Sequence, residues 1–223
     1  MHLSAQDHAT VTAAVTAAER KTNGEIVTIV ARSSDAYHDV GLHWAVLAML
    51  LVLALLSAFP NSVDAIHLIT GDPWNEHVST GTALTIATFL AAVTFLAVRY
   101  LLTIRSLRMA LTPHATKARR VRARALALFR ASAEHRTVAG TGVLLYLSMD
   151  EHRAELIADA AIHNKVSPDV WGHAMASLIA AVKDGRPGDG MAAAVSEIGI
   201  VLAEHFPRTS GDINELPDRL IEL

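Results

Sequence analysis

Two long segments without a charged side chain constrain this chain more than any other feature of its sequence. Val40 to Val63 provides 24 residues, and Val78 to Val98 provides 21 residues, without Asp, Glu, Lys or Arg. A bilayer core about 30 Å thick needs about 20 apolar helical residues to cross it. The two segments therefore predict a transmembrane helical hairpin; the alternative is a pair of buried helices in a soluble core.

The charges around these segments predict how the hairpin is oriented. Residues 61–80, which connect the two segments, contain three acidic residues and no Lys or Arg. After the second segment, nine Lys or Arg residues precede the next acidic residue, Glu134. Positive charge is retained on the cytoplasmic side during insertion. We therefore expect 61–80 to be an outer loop and both termini to be cytoplasmic.

The basic residues after the hairpin also indicate a partner. They lie next to the predicted membrane segment, and no aromatic residues are interleaved for stacking on bases, so lipid headgroups are the expected partner and nucleic acid is not. The net charge of −3 agrees with this. Six residues are expected to contact headgroups: Arg99, Arg105, Arg108, Lys117, Arg119 and Arg120.

A predicted β-hairpin lies between Arg136 and Ile162, within a sequence that is otherwise helical. The apolar run from Val143 to Leu147 follows Gly140 and Gly142, which is typical of a strand buried on both faces. A charged turn at 149–152 precedes a second strand at 153–158. A further strand, rich in β-branched residues, is predicted at Glu25 to Ala31.

Helices are predicted on either side of these strands. Ser4 to Asp7 resembles a capping box, Pro113 suits a first helical position, and Ser167 and Asp189 are expected N-caps. The predicted helices cover about residues 5–22, 113–135, 168–184 and 188–206, and the tail after 208 is expected to be irregular with a docked end.

This order of elements predicts an α/β sandwich, in which helices cover a small sheet, with an inserted two-helix transmembrane hairpin. The α/β domain is expected to be discontinuous and to comprise residues 1–39 and 113–223. The hairpin is expected at 40–112, with its outer loop at 61–80.

Several motifs of this domain resemble the TPM domain, a family first named for thylakoid lumen, photosystem-repair and bacterial membrane proteins. The resemblance is to proteobacterial members that carry a membrane hairpin after the first strand, which implies the bacterial inner membrane. It is carried by Thr141–Asp159, Ile162, Val166, Trp171, Asp184–Gly185, Leu202–Pro207 and Glu215–Leu223.

The resemblance implies more than one activity. One plant member is regarded as an acid phosphatase, some TPM domains bind Ca²⁺ through acidic loops, and others act as accessory factors in photosystem maintenance or membrane-complex assembly. Most relatives place the domain outside the cytoplasm, whereas the charges of this chain place it inside. The residues themselves predict no cofactor, so Ca²⁺ is an expectation from the resemblance alone.

The candidate site residues are few. Asp159, which ends the second hairpin strand, is the candidate catalytic carboxylate, and Asp159, His163 and Asp35 are the candidate metal ligands, since Ca²⁺ and Mg²⁺ prefer several oxygens together. Asp150 and Glu151 are interpreted as turn residues. The chain has no cysteine, so a thiolate metal site and a cysteine nucleophile are excluded.

Two functions follow from this sequence. The first is a non-catalytic accessory module, anchored in the membrane, that interacts with an integral-membrane protein complex; in view of the resemblance, such complexes include photosynthetic ones. The second is a metal-dependent phosphatase, in which a cation lowers the pKa of a bound water.

Overall fold

The computed structural model describes residues 3–70, 78–132, 140–210 and 214–223, and the side chains of 68–70 and 168 lie outside this description. The chain forms two compact units. Met1–Asp35 and Pro113–Leu223 make up the first, which we call the α/β domain. Ala36–Thr112 makes up the second, which we call the apolar unit.

A mixed four-stranded sheet lies at the centre of the α/β domain. Its strands are β1 (Glu25–Ala31), β2 (Gly142–Ser148), β3 (Arg153–Ala158) and β4 (Ile221–Glu222), in the order β3-β2-β1-β4. β1 is parallel to β2 and to β4, whereas β2 and β3 form an antiparallel hairpin. The three predicted strands are confirmed. The docked end of the tail is β4, which completes the sheet, so the tail is not wholly irregular.

The helices are the remaining regular elements of the described residues. In chain order they are α1 (Ala5–Glu19), α2 (His38–Ala58), α3 (Asn61–Thr70), α4 (Thr80–Leu101), α5 (Arg105–Ala110), α6 (His114–Ser132), α7 (Ala160–His163), α8 (Gly172–Lys183) and α9 (Pro187–His205), with a 3₁₀ helix at Pro168–Trp171.

The caps of these helices confirm one prediction and correct another. The amide of Asp7 donates to Ser4 Oγ over 3.1 Å and the amide of Ser4 donates to Asp7 Oδ2 over 2.9 Å, so the capping box of α1 is present. The predicted N-cap role of Asp189 is wrong, because α9 has Arg186 as its N-cap and Pro187 inside its first turn. Proline suits that position because it lacks the N–H that would otherwise be unpaired there.

Helices cover both faces of the sheet, which confirms the predicted α/β sandwich. Every residue of β1 and β2 is buried. Ile26 and Leu145 face a cluster formed with α1, α8 and α9, whereas Val27 and Leu144 face α6. Successive side chains of a strand point to opposite faces, so two strands without polar alternation require a layer of helices on each side.

The apolar unit consists mainly of α2 packed against α4. By length and composition, both helices are able to cross a membrane. Only 17% of the apolar window of α2 and 6% of that of α4 is buried, whereas a core helix of a soluble protein is mostly buried. Their exposed side chains include Leu47, Leu51, Leu84, Phe89 and Leu96.

Two short helices in this unit were not predicted. α3 occupies the first half of the predicted outer loop, and residues 71–77 of that loop lie outside the described residues. α5 lies between α4 and Pro113, inside the range 40–112 that was predicted to contain only the hairpin and its loop. The end of the helix predicted at about His135 also lies beyond the described part of α6.

Candidate functional site at the carboxyl edge of the sheet

The carboxyl ends of β1 and β2 meet at one edge of the sheet because the two strands are parallel. Residues 33–35 follow β1 at this edge, and the turn 149–152 follows β2. The amides of Met149 and Asp150 donate to the carbonyls of Ala31 and Arg32, each over 3.0 Å, and so join the two segments. Ligands of open α/β sheets commonly bind at such an edge.

Glu151 is the central acceptor of this edge. The residue is 6% exposed. Its Oε1 accepts the Ser34 amide over 2.9 Å and the Ser33 hydroxyl over 3.3 Å, and its Oε2 accepts the Ser148 hydroxyl over 2.6 Å. Both carboxylate oxygens are therefore used to hold the segment after β1 against the turn after β2. The sequence interpretation of Glu151 as a turn residue omitted this role.

The hydrogen bonds continue from Glu151 through three hydroxyl groups. Ser148 donates to Glu151, and Ser34 Oγ donates to Ser148 Oγ over 2.8 Å. Tyr146 Oη lies 2.9 Å from Ser34 Oγ. A serine has only one hydroxyl proton, so Tyr146 is the donor in this last bond. Burial raises the pKa of Tyr146, so its phenol keeps the proton that it donates at the end of this series of hydrogen bonds.

A cleft of about 580 Å³ opens beside this network. Its wall combines basic residues from three elements with the acidic residues of the turn. The charged and titratable residues that line it are His114, Lys117, Asp150, Glu151, His152, Arg153 and Lys183.

Asp35 lies at this edge, in an ion pair with α6. Its Oδ2 is 3.0 Å from Nη1 of Arg120. About one helical turn separates Arg120 from the cleft-lining Lys117. A second ion pair joins α6 to the sheet, between Arg122 Nη1 and Glu155 Oε2 at 3.3 Å. Burial raises the pKa of Glu155 despite its arginine partner.

Asp159 and His163 lie at the opposite edge of the sheet. Asp159 Oδ2 accepts the Gly142 amide over 3.1 Å, and the Asp159 amide donates to the Gly142 carbonyl over 2.9 Å. These two bonds fasten the end of β3 to the start of β2. The chain then turns through α7, and the His163 amide donates to the Asp159 carbonyl over 3.0 Å, while His163 itself is exposed.

The sheet therefore does not bring the three candidate metal ligands together. β1 and β2 pair over seven residues, which is roughly 20 Å at about 3.3 Å per residue. Asp35 follows one end of this ladder, whereas Asp159 and His163 follow the other. Within the ranges that the structure describes, no group of three or more His, Asp or Glu side chains is arranged to hold a metal ion.

The residues predicted to contact lipid headgroups have different surroundings. Arg108 is 8% exposed, and its Nη1 donates to the Leu102 carbonyl over 2.9 Å. Arg120 pairs with Asp35. Arg99 and Arg105 are half-buried, Arg119 is exposed, and Lys117 lines the cleft.

A further carboxyl that the sequence analysis did not single out is buried at the end of α1. Glu19 is 8% exposed, and its Oε1 accepts the Ile26 amide over 2.8 Å. Burial, together with the charges of Glu25 and Asp218, raises the pKa of Glu19 from 4.5 to about 8. Partial burial opposes the ionisation of Asp218, but its hydrogen bonds, among them one from the Thr16 hydroxyl over 2.6 Å, lower its pKa.

The sheet with helices on both faces defines the class of the domain as an α/β sandwich. A solved structure shares this fold: the NMR structure of the BA42 protein from the psychrophilic bacteria Bizionia argentinensis has a TM-score of 0.56 and 16% identity, and the likeness covers 100% of this chain and 97% of that chain.

The family comparison specifies the class further. Residues 101–201 match a family model described as the TPM domain. No curated protein matches the chain. These residues therefore carry a TPM domain, which confirms the resemblance drawn from the sequence.

Proposed function

We propose that this TPM-domain protein is a non-catalytic accessory module, anchored in the bacterial inner membrane, that interacts with an integral-membrane protein complex. The observation that carries the proposal is the exposed apolar surface of α2 and α4, which is suited to lipid and leaves little of either helix buried. The charge distribution around the two helices supports a multi-pass orientation with both termini in the cytoplasm.

The α/β domain supports an interaction role because its candidate carboxylates make structural bonds. Asp159 holds β3 to β2, Asp35 pairs with Arg120, and Glu151 joins the segments after β1 and β2. A domain held to the membrane plane meets membrane partners at a raised effective concentration, so moderate contacts suffice for a stable association. Maintenance or assembly of a membrane complex, including a photosynthetic one, is a role of this kind.

The test is copurification of the tagged full chain from membranes in a mild detergent, followed by identification of the bound proteins. We expect an integral-membrane complex to be retained by the wild type and equally by Asp159→Ala. Loss of the complex in a folded Asp159→Ala variant, or recovery of the chain in the soluble fraction, contradicts the proposal. Labelling of the C-terminus in intact and opened cells tests the orientation separately.

A second candidate function is a metal-dependent phosphatase. It is favoured by the matching family model, whose name describes the TPM domain as a phosphatase, and by the open cleft beside Asp150 and Glu151. Hydrolysis of a generic phosphate ester by the detergent-purified chain, with Ca²⁺, Mg²⁺ or a chelator, tests this candidate. Activity that disappears with the chelator supports it. Activity that is unchanged by the chelator contradicts metal dependence. Activity that is unchanged in Asp159→Asn contradicts a phosphatase mechanism in which Asp159 is catalytic.

A further inference from the structure

The cleft at the carboxyl edge presents cationic groups from three elements of the fold. Lys117 comes from α6, Arg153 from the start of β3 and Lys183 from the end of α8. In the part of the chain that the structure describes, the side chains of Lys117, Lys183 and His114 form no hydrogen bond or ion pair. Three elements that are distant in sequence thus bring positive charge to one cleft.

The acidic residues of the cleft offset only part of this charge. Lys117, Arg153 and Lys183 carry three formal positive charges, whereas Asp150 and Glu151 carry two negative ones. Both oxygens of Glu151 also accept hydrogen bonds from the segment after β1 and from Ser148. The N-terminus of α6 adds the positive end of its dipole, and its first turn contains no acidic residue.

The cleft has the dimensions of a ligand site. Its volume of about 580 Å³ falls within the range of roughly 300–1,000 Å³ that is typical of small-molecule pockets. Ile179 and Ala154 contribute an apolar wall beside the cations. A phosphate group with a short polar substituent matches this combination, since lysine and arginine bind phosphate through charge-assisted hydrogen bonds.

The course of the chain points to one source of phosphate groups. Asp35 is the last residue of the domain before the apolar unit, and Pro113 is the first one after it. Asp35 pairs with Arg120 of α6, and His114, which begins α6, lines the cleft. Both connections to the apolar unit therefore leave the α/β domain from the cleft edge of the sheet.

We propose that this cleft binds the phosphate-bearing headgroup of an anionic phospholipid, an inference that rests on the membrane anchoring proposed above. Basic pockets next to membrane segments are suited to such headgroups. Lys117 of α6 and Lys183 of α8 contact the phosphate, and Arg153 completes the cationic lining. The ligand is thus a specific lipid held in a site, in addition to any diffuse attraction between the basic face of α6 and the bilayer.

The test is native mass spectrometry of the full chain, purified in a nonionic detergent and titrated with phosphatidylglycerol or phosphatidylcholine. We expect retention of phosphatidylglycerol over phosphatidylcholine. The double variant Lys117→Gln/Lys183→Gln should weaken phosphatidylglycerol binding by about tenfold or more, because it removes two charge-assisted phosphate contacts. The control Arg20→Gln/Lys21→Gln removes the same charge from exposed positions outside the cleft and should leave the affinity unchanged.

Equal losses in the two double variants, or equal retention of the two lipids, overturn the proposal. Displacement of phosphatidylglycerol by inorganic phosphate at equal concentration overturns the lipid assignment in favour of a free phosphate. Circular dichroism verifies folding, and if the double variant does not fold, the single variant Lys183→Gln, exposed at the end of α8, replaces it under the same criteria.

The outcomes separate this inference from the proposed function. Loss of lipid preference with intact copurification of a membrane complex removes only the headgroup site. Lipid preference without copurification removes only the accessory role. Recovery of the chain in the soluble fraction contradicts the anchoring on which both depend.

Discussion

Replacing Glu19 with glutamine should abolish a pH-dependent part of the stability of the α/β domain. Burial raises the pKa of Glu19 from 4.5 to about 8 in the folded chain. Between these values the folded state holds a proton that the unfolded state releases. The stabilisation is therefore complete below pH 4.5, decreases as the pH rises and is lost once the pH exceeds about 8.

The magnitude follows from the size of the shift. Each pKa unit corresponds to about 1.36 kcal/mol, so a rise from 4.5 to about 8 corresponds to a pH-dependent change on the order of 4 kcal/mol once partial solvent screening is included. The substituted glutamine keeps a carbonyl oxygen for the Ile26 amide and offers an amide donor toward Asp218, but it does not titrate. Glu19→Gln should thus match the wild type at low pH and exceed its stability above pH 8.

The assay is urea unfolding of the full chain in a mild detergent at several pH values. Trp171 is 8% exposed and is the one tryptophan in the sequence of the α/β domain, so its fluorescence reports on this domain when Trp44 and Trp74 are replaced with Phe. Glu204→Gln, which removes an exposed carboxylate from α9, is the matched control. Glu19→Ala should be less stable than wild type at low pH because Ile26 loses its acceptor. The reasoning is refuted if the wild type and Glu19→Gln show parallel stability across the pH range.

Four further changes test the packing and the polar network, each by the same urea unfolding experiment unless stated. Gly199→Ala places a Cβ atom 2.5 Å from Ala18 Cβ and should lower the free energy of unfolding by about 1–3 kcal/mol, whereas Ala18→Gly in the same chain should recover part of the loss. Glu151→Ala should lower the free energy of unfolding by about 2–4 kcal/mol, because the Ser34 amide and the Ser148 hydroxyl lose their acceptor. Hydrogen exchange of the Ser34 amide should accelerate in this variant, and an unchanged exchange rate argues against the network. Asp159→Ala should lower the free energy of unfolding by about 1–3 kcal/mol, because the Gly142 amide loses its acceptor, and Asp159→Asn should lower it less because asparagine keeps an acceptor oxygen. Equal effects of the two variants contradict an acceptor role of Asp159. Deletion of 214–223 removes β4 together with two buried leucines, Leu216 and Leu220, and burial of each leucine side chain contributes about 1.5–3 kcal/mol. The deletion should also accelerate hydrogen exchange of the Arg32 amide, and retained protection of this amide contradicts the pairing of the tail with β1.

Local patterns predicted most elements of this fold. The bounds of β1 agree with the predicted strand at Glu25 to Ala31, and β2 and β3 lie where the apolar run and the charged turn indicated. A buried strand must be apolar on both faces, so it is visible in a few consecutive residues. β4 was missed because two residues carry no periodicity, and it forms only through pairing with β1.

The candidate site was less predictable because it depends on contacts between distant residues. The bond between Ser34 and Glu151 joins positions 117 residues apart, and that between Ser34 and Tyr146 joins positions 112 apart. The one signal in the sequence was the spacing of Tyr146 and Ser148, which places two hydroxyl groups on one face of a strand. Nothing in that spacing indicates which residues approach this face from elsewhere.

The sequence by itself determined that the chain contains two apolar helices, a β-hairpin between helices and the motifs of a TPM domain. These features are local, because they depend on the spacing of hydrophobic residues, the length of an apolar segment and the residue types in a turn. Only the tertiary structure decided that Asp35 and Asp159 lie at opposite edges of the sheet and that Lys117, Arg153 and Lys183 line one cleft. The order and direction of the strands determine both results. Strand order and direction in turn depend on how helices from distant parts of the chain cover the two faces of the sheet.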